Sequence, residues 1–162
     1  MTRSHPPDSY SVPVVTIRMV RARILLYSLA ANSAQDIVKL SFPLFKNLDR
    51  EHVVVVGLNT KLIPTVINIV SIGTLDSSLV NAREVFKPLI LSNSQSFVIL
   101  HNHVTGDVRP SHADEKITER LQVAGKIMQI ELLDHIVVGI NEKTYLSFKQ
   151  EGLFKTVADP LA

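Results

Sequence analysis

The five residues 96–100, SFVIL, constrain the fold of this chain more than any other stretch. The run is short, apolar and unalternating, so it reads as a strand buried on both faces, with cover needed on each side. A second dense run, HVVVVGL at 52–58, is rich in β-branched residues and reads as a central strand. Residues 62–74 read as another strand, reached through a turn near Thr60 and Lys61. Residues 12–20, VPVVTIRMV, alternate weakly and read as an edge strand, since Pro13 lacks the donor a central position needs. The segments 134–139 and 144–148 close the pattern as a β-hairpin around residues 141–143.

Between the strands lie three helical patterns. Residues 34–48 place Ile37, Leu40, Leu44 and Leu48 at helical spacing, with Pro43 expected to kink or shorten the element. Residues 82–91, AREVFKPLIL, form a second pattern, again with a proline inside. The clearest is 111–128, where Ile117, Leu121, Ala124 and Met128 share one face. Strands mixed with helices predict an α/β fold, a mixed sheet flanked by helices. No repeat or linker breaks the 162 residues, so one domain is expected over 12–155, with a flexible arm at 1–11 and a short tail at 156–162.

Apolar residues make up 46% of the chain, too many for a disordered protein. The longest tempting apolar run, ILLYSLAA at 24–31, falls well short of the roughly 20 residues of a membrane span. Cysteine is absent, which removes disulfides and thiolate ligands and fits a reducing cytoplasm. The start, MTRSHPPDSYSVPVV, has no apolar core of a secretory signal, so a cytoplasmic protein is expected. Charge is uneven: residues 1–23 hold four Arg against one Asp, whereas the remainder holds thirteen Lys or Arg against fourteen Asp or Glu. The cluster Arg18, Arg21 and Arg23 is the whole sequence case for nucleic acid, and a weak one.

Between the strand at 96–100 and the helix at 111–128 stands HNHVTGDVRPSHAD, residues 101–114, with three histidines and two aspartates. His101 and His103 leave the strand end at i and i+2, so both side chains point to the same side. Two imidazoles so placed can share one cation at Zn–N distances of about 2.0–2.1 Å. Stepping back three residues from Ile117 puts Asp114 on the inward face of the helix, in its first turn. A buried carboxylate needs a partner or a metal. Two His and one Asp leave a fourth tetrahedral position open, the arrangement of a catalytic zinc site. Ser111 and Asp114 also read as an approximate capping box that satisfies the helix start without any metal.

The spacing H-x-H-x7-S-x2-D, at His101, His103, Ser111 and Asp114, resembles the JAMM (MPN/JAB) metalloprotease motif. More narrowly, LDREHVVVVGLNTK, VSIGTLDSSLVNAREVFKPLIL, HNHVTGDVRPSHAD and LLDHIVVG, in that order, resemble the RadC family, long labelled DNA repair proteins. The resemblance spans residues 34–153. It implies a JAB-type fold similar to that of cytidine deaminases, with Zn2+ held by His101, His103 and Asp114. It also implies that Ser111 helps stabilise an oxyanion while a zinc-activated water attacks an amide, peptide or isopeptide carbonyl. Full-length members carry a helix-hairpin-helix module, of which no pattern is present here.

Two departures follow. Val104 and Thr105 stand where the family loop carries Pro and Ser. The general-base Glu that the resemblance implies, counted back from VSIGTL, falls on Asn68. An amide can orient a water but cannot take its proton at neutral pH. Asp107 and Glu84 are the nearest substitutes for the base, and Arg83 with Glu84 is expected to pair and to help position substrate. His135 reads as a core histidine satisfied by a backbone carbonyl, with orienting the site as the alternative, and His112 as exposed. The expected activity is therefore zinc-dependent hydrolysis of a peptide or protein substrate. The alternative is a zinc-binding module, weak or inert in catalysis and associated with DNA repair. A homo-oligomer is compatible with the sequence.

Overall fold

Seven consecutive buried residues make β1 (His52–Leu58) the centre of the molecule, as its valine run demands. In this computed structural model, residues 13–23, 25, 30–73 and 80–158 are described. β1 pairs antiparallel on one side with β2 (Pro64–Ile72) and on the other with β3 (Ser96–Asn102). β3 runs parallel to β4 (Glu131–Val138), which pairs antiparallel with the short β5 (Tyr145–Ser147). The sheet order is β2-β1-β3-β4-β5.

Each face of this sheet has its own core. α1 (Ala34–Ser41) covers Val54, Val56, Val98, Leu100 and Ile136. On the opposite face α2 (Ala82–Leu91) and α3 (His112–Met128) cover Val53, Val55, Phe97, Ile99 and Leu132. This is a mixed α/β sheet flanked by helices, as expected of a JAB-type fold. The odd residues of β3 thus face α2 and α3, and His101 inherits that side.

Local chemistry sets the helix ends. Ser33 and Asp36 form a capping box at α1, which passes into a 3₁₀ turn at Phe42–Leu44 where Pro43 ends the α-helical ladder. Asn81 caps α2 by accepting from Arg83 N. Pro88 sits inside α2 as expected, in its last turn. α3 ends at Gln129 in the left-handed region, with φ +55°.

Several expectations shift. Residues 13–20, expected as an edge strand, form no strand and are exposed along their length. A strand exists only through a ladder partner, and the weak alternation of this run comes with none. β2 is shorter than 62–74, and β4 starts three residues earlier than 134. On α3 the buried stripe is Asp114, Ile117, Thr118, Leu121 and Gly125, whereas Met128 is half in solvent. The expected arm at 1–11 lies outside the described residues, as does part of the run at 24–31. No helix among the described residues is long and apolar enough to cross a membrane.

Candidate metal centre

The carboxyl end of β3 and the amino end of α3 meet on the α2/α3 face of the sheet. The loop between them turns at Gly106, whose φ of +74° favours glycine. That turn brings the Asp107 carbonyl to 2.7 Å from His103 Nδ1. A carbonyl only accepts, so Nδ1 carries the hydrogen and Nε2 of a neutral His103 is left bare toward the site.

Three side chains converge there. His101 Nε2 and His103 Nε2 stand 3.0 Å apart. Asp114 Oδ1 is 3.3 Å from His101 Nε2, and Oδ2 is 3.4 Å from His103 Nε2. Atoms bound at about 2.0–2.1 Å to a shared tetrahedral centre lie about 3.3–3.4 Å from each other, close to these separations. His101 and Asp114 are fully buried, and His103 is partly exposed.

Ser111 explains how Asp114 is aimed. The Ser111 backbone N–H and hydroxyl both donate to Asp114 Oδ2, each at 2.7 Å, while Asp114 N donates back to the hydroxyl. Oδ2 is therefore occupied by the cap, and Oδ1 is a buried oxygen with no hydrogen-bond partner. An acceptor left bare in the interior costs about 1–3 kcal/mol, more when charged, and a cation at this point removes that cost. One proton shared between the two Nε2 atoms would satisfy the imidazole pair but not Oδ1. The donor set fits a divalent metal of borderline character such as zinc. The capping box thus aims the same carboxylate that could hold a metal, so the two readings do not compete.

The electrostatics agree. Burial alone would raise the Asp114 carboxyl, but His101, His103 and the Ser111 hydroxyl outweigh it and hold the group well below the usual carboxylate range. His103 is raised above the ordinary histidine value by Asp114 first, against its partial burial, with the Asp107 carbonyl and the Glu51 charge adding to the effect. In the absence of metal, a proton at His103 is the available counter-charge.

Behind the three lies His135, fully buried, with Nε2 2.8 Å from His101 Nδ1. Its Nδ1 is 2.6 Å from Thr118 Oγ1, and its ring stacks on Phe148 with centroids 4.6 Å apart. Burial pushes its imidazole well below the ordinary value, so it is neutral. No backbone carbonyl serves it; the expected core histidine instead touches the site. Sequence reasoning could not find Thr118, because only tertiary packing brings α3 and β4 together.

Other residues fall elsewhere. Asn68 opposes Val55, and Val55 opposes Ile99, so Asn68 is exposed on the edge strand, two strands from β3 and two residues short of His101. At about 4.8 Å per strand step, that is roughly 10 Å sideways before the offset along the strand is added. The register sets Asn68 on the same face of the sheet as Ile99 and His101. Asp107 contributes its carbonyl, not its carboxylate, which Arg109 binds at 2.6–3.2 Å and holds down to about 2. Glu84 pairs with Lys87 at 3.1 Å rather than with Arg83, as neighbours at i and i+1 on a helix do not face one another. Arg83 and Glu84 are exposed on α2 and are not among the converging groups. Ser111 spends its only hydroxyl hydrogen on Asp114, which leaves none for an oxyanion in this arrangement. His112 is exposed, as expected.

An acid that sequence reasoning passed over acts on the site electrostatically. The β1–β3 ladder ends with Val53 opposite His101, and Glu51 stands immediately ahead of β1. Its charge reaches His103, and its carbonyl accepts from Gly73 N at 2.9 Å. Glu51 is half-buried. The signal available was LDREHV itself, an acidic residue immediately ahead of a strand that neighbours the histidine strand.

Residues 31–153 match the family model described as a RadC-like JAB domain. The chain belongs to this family. A relative from Desulfitobacterium hafniense is 46% identical over 122 residues, 75% of this chain and 53% of that protein. One from Rubrobacter xylanophilus is 50% identical over 107 residues, 66% of this chain and 46% of its own. One from Pelodictyon phaeoclathratiforme is 37% identical over 150 residues, 90% of this chain and 66% of its own. All three are UPF0758 proteins, a name that states no activity. The chain spans about half the length of the first two.

Proposed function

We propose that this RadC-like JAB domain is a zinc-dependent hydrolase acting on peptide or isopeptide bonds. The observation that carries the reading is the convergence of His101 Nε2, His103 Nε2 and the Asp114 carboxylate, with Oδ1 buried and without a hydrogen-bond donor. Zinc held by these three would supply Lewis acidity and activate water.

The remaining roles belong to the chain. Ser111 fixes the Asp114 carboxylate through Oδ2. Asp107, through its carbonyl, fixes His103. Glu51, half-buried beside His103, serves as the general base that takes a proton from the attacking water and returns it to the leaving amine. The zinc-binding module without turnover drew its support from an amide at the base position. Asn68 stands on β2, on the face of the sheet that carries His101, so that second reading rests on this amide and is decided by the turnover test below. A cytoplasmic setting suits a chain without cysteine, and the substrate is a peptide or protein. Contact with nucleic acid through Arg18, Arg21 and Arg23 would show as a steep fall in affinity with salt.

Metal analysis of the purified protein with Asp114→Ala alongside tests the metal, and turnover on peptide and isopeptide libraries tests the enzyme. One zinc per chain, lost in the variant, with cleavage that follows the zinc, is the expected result. A wild type that purifies from zinc-containing medium without metal and cannot be loaded would end the proposal. A zinc-loaded wild type that cleaves nothing would return the domain to a binding module.

A further inference from the structure

Two buried side chains beside the candidate ligands, Thr118 and His135, join them in one hydrogen-bonded chain whose hydrogens can be placed by counting. Thr118 Oγ1 is 2.6 Å from the Asp114 carbonyl and 2.6 Å from His135 Nδ1. The carbonyl can only accept, and a threonine hydroxyl has one hydrogen, so that hydrogen goes to Asp114 O. His135 Nδ1 must then be the donor to Thr118 Oγ1. A second ring hydrogen would make His135 a cation within the protein interior, where an unpaired charge is very costly. Its Nε2 is therefore bare and accepts from His101 Nδ1 at 2.8 Å. With its hydrogen on Nδ1, neutral His101 presents a bare Nε2 to the point where His103 and Asp114 converge.

We propose that Thr118 and His135 are positioning residues that fix the tautomer of His101, so that its Nε2 lone pair is held toward the metal by a chain beginning at the backbone of Asp114. The inference rests on the metal reading above and deepens it. The chain closes a ring: Asp114 supplies a ligand through its carboxylate and the terminal acceptor through its carbonyl. It links β3, β4 and α3, the three elements that meet at the site. The Phe148 ring, stacked on His135 at an interplanar angle of 17°, sets the imidazole plane.

Losing the Thr118 hydroxyl has a specific consequence. His135 Nδ1 then has no acceptor, and the favourable response is to move its hydrogen to Nε2 and donate to His101 Nδ1. His101 would be forced to carry its own hydrogen on Nε2, where the metal should bind. A residue that never touches the metal would thus control access to one of its ligands. Removing such outer partners typically weakens metal binding by about 10–100-fold.

The test uses the full chain with zinc as the probe. Zinc affinity is read by competition with a chromophoric chelator in wild type, Thr118→Val and Thr118→Ser. Long-range proton–nitrogen NMR of the imidazoles is recorded on zinc-free wild type. The expected results are His135 with its hydrogen on Nδ1, a loss of about 10–100-fold in Thr118→Val, and recovery in Thr118→Ser. His135 carrying its hydrogen on Nε2 in the wild type would overturn the inference. So would a folded Thr118→Val that binds zinc as wild type does. If Thr118→Val does not fold, the His135 tautomer decides. A wild type that binds no zinc overturns both this inference and the proposed function, whereas indifference to Thr118→Val in a zinc-binding protein overturns this inference alone.

Discussion

Two capping boxes of nearly identical geometry stand among the described residues, one in solvent and one built on a buried carboxylate, and that makes Ser111→Ala a controlled experiment. At α1, Ser33 Oγ donates to Asp36 Oδ2 at 2.7 Å and accepts from Asp36 N at 3.2 Å. At α3, Ser111 Oγ makes the same two bonds to Asp114 at 2.7 and 3.2 Å. Loss of either cap costs about 1 kcal/mol for the orphaned backbone N–H. Ser33 is exposed, so water replaces its bond to the carboxylate and the total remains near that figure. The Asp114 side chain is only 1% exposed, so water replaces the bond less fully than at Asp36, and the lost bond to a charged acceptor adds up to about 1.5–3 kcal/mol. Ser111→Ala should therefore cost up to about 2.5–4 kcal/mol, or roughly 5–16 °C in Tm for a domain of this size. Urea titration of the metal-free protein measures both variants at matched slopes. Equal losses at the two sites would refute the claim that burial, rather than capping, makes the Ser111 hydroxyl matter.

Glu51→Gln should keep its zinc but lose about 10²–10⁴-fold in kcat on a cleaved substrate, while Asn68→Ala stays at the wild-type rate; the opposite pattern would move the base back to β2. His103 is raised in the folded state, so its share of metal-free stability is full below about pH 6.5 and is lost as pH climbs through the raised value. The difference in unfolding free energy between wild type and His103→Gln, measured from pH 5 to 9, should shrink toward the alkaline end. His135 has the opposite sign: its lowered value means that acid below about pH 6.5 destabilises the fold. Gly57→Ala should cost about 1–3 kcal/mol, since a Cβ there would collide with Ser94, Leu89 and Val66; an unchanged urea midpoint would contradict the packing.

How much was legible in the sequence divides along a physical line. The ligand set was readable because each step is local. His101 and His103 share a side through strand alternation, and Asp114 turns inward through helical spacing from Ile117. Ser111 was readable as a cap, and the cap aims the Asp114 carboxylate, whereas the expected oxyanion role is not met because its hydroxyl hydrogen goes to Asp114. Glu51 was not singled out, because the reach of its charge to His103 depends on how the start of β1 lies beside the histidine loop.

The sequence by itself determined the runs that must be buried, the helix starts, and the three side chains that can meet at one strand end. These depend on periods of two and 3.6 residues, which the chain carries within any short window. Tertiary structure alone decided that residues 13–20 stay out of the sheet, that the Glu51 charge reaches His103, and that His135 and Thr118 stand behind His101. Those outcomes depend on register and on the packing of β4 against α3, where residues 17 positions apart come within 2.6 Å. Periodicity fixes which way a side chain points, but only pairing and packing fix what it meets.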